Sequence, residues 1–279
     1  MSIQEIVKIL TDSGIESNEA NIEVKMLLEH FANYGAKDII MGNKLTAEKL
    51  ELVKEKAELR AKTRQPIQHI IGFADFIGEK FIVNTSVLIP RDETEILVRK
   101  AIELINTNNF KMALDVGTGS GCIACIVAKH SDCQIIGLDI SSDALNTALD
   151  NASRLNLFNK AIFRKSDIFS NVKDGESFDI IISNPPYIPP SEKVGIQTEV
   201  KFDPELALFT KDEKGLEFYE RISQGAPKIL NKGGYLLFEL GIDQSADVKN
   251  IMEKCGFSDI EIIKDLAGID RVCCGRIVK

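Results

Sequence analysis

No apolar run in this 279-residue chain reaches the roughly 18–20 residues that a membrane-spanning helix needs. The opening stretch MSIQEIVKILTDSG carries acids and lacks a basic flank ahead of an apolar block. It does not read as a signal peptide, so a cytoplasmic protein without membrane attachment is expected. An excess of Lys and Arg is also missing: 34 basic residues face 42 acidic ones, a net charge of −8 and a pI near 5.1. That balance argues against a nonspecific nucleic-acid binder. Histidine is scarce, and His30, His69 and His130 are scattered outside any catalytic context. Cys122 and Cys125 form a C-x-x-C pair, but no second pair or His cluster completes a zinc set, and no metal site is expected. Cys273 and Cys274 are adjacent in an apparent strand and so point to opposite faces. The cysteines read as small apolar residues packing helices against a sheet. Internal repeats and low-complexity tracts are absent too.

What is present is the composition of an ordinary globular protein, 44% hydrophobic and 27% charged, in a length that allows one large domain or two smaller ones. Residues 1–65 read as a small helical bundle. Ile3, Ile6, Val7 and Leu10 recur at helical spacing, as do Val24, Leu27, Leu28 and Phe31, with Gly14, Gly35 and Gly42 as punctuation. Thr46 to Lys62 is a charged amphipathic helix whose charges form a solvated face. Beyond Pro66 the pattern changes. Phe73 to Val83 alternates around Gly78 as a hairpin does, which makes 66–88 a linker carrying a β-hairpin.

From VLIPRDETEILVRKAIEL onward, over 89–279, strands and helices alternate. MALDVG, QIIGLDI, AIFRKSD, FDIIISN, YLLFELG, DIEIIKDL and RVCCGRIV read as strands, and DALNTALDNASRL and GLEFYERISQGAPKIL as helices between them. The last two strands are separated by little more than LAGID and are expected to form a hairpin. The fold class is therefore α/β: a seven-stranded, Rossmann-like, mostly parallel sheet with one terminal antiparallel hairpin, preceded by a small helical domain.

Asn184-Pro185-Pro186-Tyr187 ends the apolar run FDIIIS. Each Pro fixes its own φ, lacks an N–H and pushes the preceding residue to an extended conformation, so the segment continues neither a helix nor a central strand. Free carbonyls, the Asn amide and the Tyr ring suit a planar NH2 group, either an amide or the exocyclic amine of a base. Upstream, Asp115-Val116-Gly117-Thr118-Gly119-Ser120-Gly121 joins a strand to a helix. Its G-x-G-x-G spacing departs from the G-x-G-x-x-G of dinucleotide sites, and no Gly-Lys-Ser/Thr phosphate loop is present. Asp139 ends the next strand, where a carboxylate can accept from both ribose hydroxyls. Asp167 and Ile168 end the third, where one could accept from an adenine amino group and the other press on the base. These strand ends and Asn184 share the carboxyl edge of the sheet, where open α/β folds bind ligands.

The ordered set of glycine loop, Asp139, Asp167 and Asn184 resembles the seven-stranded methyltransferases that use S-adenosylmethionine. A closer resemblance is carried by VLIPRDETEILV, DVGTGSGCIA, FDIIISNPPYI, KGLEFYERI and KDLAGIDRVCCGR in this order. Together they resemble the glutamine methyltransferases of peptide-chain release factors, the PrmC/HemK family, and RAKTRQPIQHIIGFADFIG is similar to that family's interdomain linker. The likeness covers nearly the whole chain. NPPY is shared with adenine and cytosine methyltransferases, whereas IPR-x-ETE with NPPYI and DLAG-x-DR is specific. Asp92, Gln65 and Asp203 stand where the family commonly has Pro, Glu and Glu, and Ile168 where it carries an aromatic.

The resemblance implies methyl transfer from S-adenosylmethionine, leaving S-adenosylhomocysteine, to the side-chain amide nitrogen of the glutamine in a Gly-Gly-Gln motif. It implies a cofactor site of Gly117, Thr118, Gly119, Ser120, Gly121, Asp139, Asp167, Ile168 and Asn184. Asn184, Pro185, Pro186 and Tyr187 would bind substrate, with Asn184, Pro185 and Tyr187 catalytic. The helical domain is expected to recognise the release factor, with no direct nucleic acid contact and the chain acting as a monomer. Roles for Arg91, Glu93, Glu95, Glu239 and Asp270 are open. The rival reading is an adenine amino-group methyltransferase acting on DNA or RNA, which would need a basic, phosphate-tracking surface. A noncatalytic cofactor-binding scaffold and a nicotinamide oxidoreductase rank below it.

Overall fold

The apolar spacing of the first segment produces helices α1 (Ile3–Asp12), α2 (Ser17–Ala32), α3 (Ala36–Ile40), α4 (Ala47–Thr63) and α5 (Ile67–Ile71) in a computed structural model that describes residues 2–278. The expected domain limits at 1 and 279 lie outside the described residues. Contacts divide the chain into two units. One takes the chain up to Phe73 together with Gln197–Phe202; the other takes Ala74–Ile196 and continues from Asp203.

In the helical unit, Ser2 and Glu5 cap α1 reciprocally, the Glu5 N–H donating to Ser2 Oγ and the Ser2 N–H to Glu5 Oε2. Ile6, Leu10, Val24, Leu27, Val53 and Ala57 close its core. Arg60 of α4 is buried in the same unit. Its Nε donates to both carboxylate oxygens of the buried Glu23, at 3.0 and 3.1 Å, and its Nη1 to Glu199, at 3.0 Å. Glu199 also accepts from Arg64 Nε at 2.8 Å. Removing one partner of such a buried pair leaves an uncompensated charge, at about 3–5 kcal/mol. The short segment around Glu199 is thus held to the helical unit by charge.

In the hairpin, β1 (Phe73–Phe76) and β2 (Glu79–Ile82) are joined by Ile77 and Gly78, both left-handed, with φ 47° and 75°. Tight two-residue hairpins favour that geometry. A β-branched residue there is strained, and the Ile77 N–H is anchored by Glu95 Oε1 at 3.0 Å.

The larger unit continues through α6 (Thr94–Asn108), β3 (Met112–Val116), α7 (Cys122–His130), β4 (Gln134–Asp139), α8 (Ser142–Arg154), β5 (Ala161–Lys165) and β6 (Phe178–Ser183). After α9 (Glu205–Leu208) come α10 (Glu217–Ile229), β7 (Leu230–Glu239), α11 (Ser245–Lys254), β8 (Phe257–Lys264) and β9 (Asp270–Ile277). The sheet order is β5-β4-β3-β6-β7-β9-β8, with β9 antiparallel to both neighbours and the other pairings parallel. Helices cover both faces, so the central strands are continuously apolar, and Ile180, Ile181 and Ile182 are wholly buried. Cys273 and Cys274 do fall into the cores on opposite faces. The expected terminal hairpin is present, and its second strand is threaded between β7 and β8.

Strand order reverses at β3, which has β4 on one side and β6 on the other. Ligands bind at such switch points. Val116 pairs with Ser183, and Ser183 with Phe238, so the residues that follow, Gly117, Asn184 and Glu239, stand side by side on the carboxyl edge.

Candidate active site

A cavity of about 280 Å³ opens at this switch point, and Gly117, Gly119, Asp139, Asp167, Ile168, Asn184, Pro185 and Pro186 stand on its wall. Gly117, Gly119 and Gly121 have φ of 77°, 53° and 76°, the left-handed region that glycine enters without strain. A Cβ on Gly119 would meet nothing within 4 Å, so its bare backbone faces open space. Asp139 is fixed from behind: its Oδ2 accepts the Gly119 N–H and its Oδ1 the Ser141 N–H, each at 2.9 Å. Burial raises its pKa against the pull of these N–H groups. Each oxygen keeps a further lone pair for hydroxyl donors.

Thr118, Ser120 and Gly121 stand behind the wall rather than on it. The buried Thr118 hydroxyl donates to Asp115 Oδ2 at 2.6 Å, beneath the loop. Burial pushes the Asp115 carboxyl up to about 7. The Ser120 carbonyl accepts from Asn151 Nδ2 at 2.9 Å, and the same amide pairs with both backbone groups of Ile82, tying the hairpin to the loop. Gly121 is the N-cap of α7, and a Cβ there would sit 2.9 Å from Ala148 Cβ. Asp167 reaches the cavity, but its Oδ1 is held by Arg221 at 2.8 Å. Ile168 adopts φ 50°, strained for a β-branched residue, while its carbonyl accepts from Ser166 Oγ at 2.8 Å. Bare loop backbone, a carboxylate with spare lone pairs and apolar walls at Leu138, Ile168 and Phe218 fit a nucleoside-bearing cofactor such as S-adenosylmethionine.

Asn184 leaves β6 half-buried, and its Nδ2 donates to Thr94 Oγ1 at 3.3 Å. Pro185 and Pro186 follow along the cavity. Tyr187 is not on the cavity wall: it is partly buried against the core that contains Tyr219 and Leu240, and its carbonyl accepts from Gln244 Nε2 at 3.0 Å. Burial drives the pKa of its hydroxyl upward, so the ring stays neutral.

Of the residues without a role in the sequence reading, Arg91, Glu93 and Glu239 lie around Tyr187, whereas Glu95 and Asp270 pair elsewhere. Arg91 donates to the buried Asp203 at 2.6 Å, pinning the end of the loop that follows NPPY. Glu93 pairs with Arg271 at 3.4 Å, and Arg271 Nε donates to Asp265 at 2.8 Å. Asp265 itself accepts the Ala267 and Ile269 N–H groups. Glu95 holds the hairpin turn, and Asp270 pairs with Lys264. Glu239, at the end of β7, is buried and accepts from Thr94 Oγ1 at 2.6 Å. Sequence reasoning missed Thr94 and Asp203 as functional positions. Their only signal was membership in, or departure from, a specific motif.

Burial also pushes Cys122 and Cys133 up to about 12, so these thiols are inert packing groups. Among the described residues no cluster of metal-ligating side chains occurs, and no helix is long and apolar enough to cross a membrane.

The methyltransferase domain model matches residues 108–268, and the PrmC N-terminal domain model matches residues 2–72. The release factor glutamine methyltransferase of Clostridium acetobutylicum is 41% identical over 214 residues, 76% of this chain and 75% of that one. That of Neisseria gonorrhoeae is 38% identical over 265 residues, covering 92% and 94%. A T. thermophilus 16S rRNA methyltransferase solved in complex with AdoMet and guanosine aligns with a TM-score of 0.53 at 16% identity, over 74% of this chain and 49% of that one, a likeness of fold. With S-adenosylmethionine as the cofactor that its methyltransferase domain uses, the chain belongs to the release factor glutamine methyltransferase family.

Proposed function

We propose that this enzyme transfers a methyl group to the side-chain amide nitrogen of the glutamine in the Gly-Gly-Gln motif of peptide-chain release factors. The observation that carries the reading is the setting of Asn184. Its amide is gripped from behind by Thr94 at the end of a central strand, beside the glycine loop and on the cavity wall. An acceptor is thereby fixed where a planar NH2 group can dock. S-adenosylmethionine, when bound, supplies an electrophilic methyl group on a sulfonium. Gly117 and Gly119 admit the ligand to the backbone, Asp139 takes the ribose hydroxyls, and Ile168 packs on the base. Asp167, Thr118, Ser120 and Gly121 complete or support that pocket.

An amide nitrogen is a poor nucleophile because its lone pair is shared with the carbonyl. Asn184 Oδ1 and the Pro185 carbonyl accept its two hydrogens, orienting the nitrogen and adding electron density. Pro186 shapes the slot, and Tyr187, packed against the core, anchors the segment from behind. Catalysis is then mostly positioning and electrostatics, and the proton departs after transfer, when the nitrogen is far more acidic. We assign substrate recognition to 1–65, linkage to 66–88 and catalysis to 89–279. One chain holds every residue of the site, so a monomer suffices. The net charge of −8 favours a protein over a nucleic-acid substrate, and a translation factor as substrate fits a cytoplasmic enzyme.

Mass spectrometry of a release factor incubated with enzyme and cofactor tests this. One added methyl on the motif glutamine is expected, with Asn184→Ala slower on the order of 10²-fold. Methyl label entering RNA or DNA instead, or near-normal turnover by Asn184→Ala, refutes it.

A further inference from the structure

Thr94 Oγ1 lies between Asn184 Nδ2, at 3.3 Å, and Glu239 Oε2, at 2.6 Å. The sheet register sets Asn184 and Glu239 next to each other, and the start of α6 lowers Thr94 onto both. We infer that Thr94 and Glu239 are positioning residues that decide which end of the Asn184 amide faces the substrate. The inference rests on the reading of Asn184 as the acceptor for the glutamine NH2.

The argument is one of proton count. The oxygen and NH2 ends of an Asn side chain have nearly the same shape, so packing alone does not choose between them. A threonine hydroxyl has a single hydrogen, and an ionised carboxylate can only accept. With Glu239 ionised, the Thr94 hydrogen goes to Glu239, and toward Asn184 the hydroxyl has only lone pairs to offer. The Asn184 NH2 must then turn inward, which leaves Oδ1 outward as the acceptor that the reaction needs.

Protonation reverses the chain. A protonated Glu239 donates to Thr94, the Thr94 hydrogen swings to Asn184, and Oδ1 turns inward. The NH2 end then meets the substrate NH2, donor against donor. Complete burial pushes Glu239 up to about 7, with Glu93 raising it further and Arg271, Thr94 and Asn184 lowering it. The other titratable groups that face it are Tyr187, Tyr219 and Cys122, all shifted upward by burial and neutral at this pH. The competent form is the ionised one. Activity is therefore full above this pKa and lost as pH falls through it.

The test measures kcat and KM for the release factor at saturating cofactor across neutral pH, with calorimetry for cofactor binding. Thr94→Val, nearly isosteric but without a hydroxyl, should lower kcat about tenfold or more while cofactor affinity holds. Thr94→Ser should restore most of kcat. Glu239→Gln should lower kcat and abolish the acid limb near pH 7. Asp115, also raised to about 7, lies under the glycine loop, so its titration would register in cofactor affinity instead. Thr94→Val and Glu239→Gln with wild-type kcat and pH profile, beside an inactive Asn184→Ala, would overturn this inference alone. A fully active Asn184→Ala would overturn the underlying site reading as well. Loss of activity in step with cofactor binding and thermal stability, unrescued by Thr94→Ser, would reduce both residues to structural ones and overturn it too.

Discussion

Replacing Gly215 by alanine should damage the reaction centre without touching the cofactor cavity. Gly215 lies at φ +71°, and a Cβ there would sit 2.1 Å from the Tyr187 carbonyl oxygen and 2.6 Å from Gln244 Nε2. Carbon and oxygen come no closer than about 3.3 Å even in favourable contacts, so the Tyr187 carbonyl must move by roughly 1 Å. It cannot move alone. Gln244 Nε2 grips it at 3.0 Å and also holds the Lys214 carbonyl at 3.0 Å. The displacement therefore passes into the NPPY segment, two peptide units from the Pro185 carbonyl. A misplacement of about 1 Å at a reacting centre costs on the order of 10²-fold in rate. Gly175→Ala is the control: its φ is +82°, but nothing lies within 4 Å of the added carbon. Both variants incur the left-handed penalty of about 1–2 kcal/mol, seen as a lowered Tm. Only Gly215→Ala should also lose kcat, with cofactor affinity kept. A kcat for Gly215→Ala within about threefold of that for Gly175→Ala, under 1 kcal/mol in barrier, would refute the reasoning.

Two further outcomes follow from the cofactor wall and the helical unit. Asp139→Asn must turn one NH2 hydrogen toward the Gly119 or Ser141 N–H, so S-adenosylmethionine affinity by calorimetry should fall by about 10- to 100-fold, as for loss of 1.5–3 kcal/mol from charged hydrogen bonds; unchanged affinity would remove Asp139 from the ribose site. Ile39 and Ile40 on α3 are 57% and 84% exposed, an apolar pair without a packing role. If the helical unit docks the release factor, Ile40→Ser should raise KM for that substrate several-fold while shifting folding stability by no more than about 0.5 kcal/mol; an unchanged KM would shift recognition elsewhere.

The sheet was legible because hydrophobic periodicity is a local signal. FDIIIS and MALDVG read as buried strands since no other short element needs such continuous apolar runs, and both lie in the sheet as expected. The Ile77-Gly78 turn was visible through its glycine. What escaped was set by contacts distant in sequence. Gln197–Phe202 has no apolar period of its own, and its place in the helical unit comes from Glu199 meeting Arg60 and Arg64, 139 and 135 residues away. The insertion of β9 between β7 and β8 was equally hidden, because a hairpin signal fixes which strands pair but not which of them is the edge.

The acids at the carboxyl edge show the same limit at the level of chemistry. Asp115, Asp139 and Glu239 each stand at or near the end of an apolar strand and look alike in sequence. Their tasks differ by which donor another segment brings. Asp115 receives the Thr118 hydroxyl and braces the glycine loop. Asp139 receives two backbone N–H groups and keeps lone pairs for a ligand. Glu239 receives the hydroxyl of Thr94, 145 residues earlier in the chain, and together with it acts on Asn184. Burial separates them in the same order of meaning. Asp115 and Glu239 are closed off and raised to about 7, whereas Asp139 is open enough to touch a ligand. A carboxylate that contacts ligand must leave lone pairs exposed; one that directs a neighbour's hydrogen works best buried, where water cannot compete for that hydrogen. The threonine of IPR-x-ETE is therefore best understood together with the glutamate that ends β7, although neither residue identifies the other in the sequence.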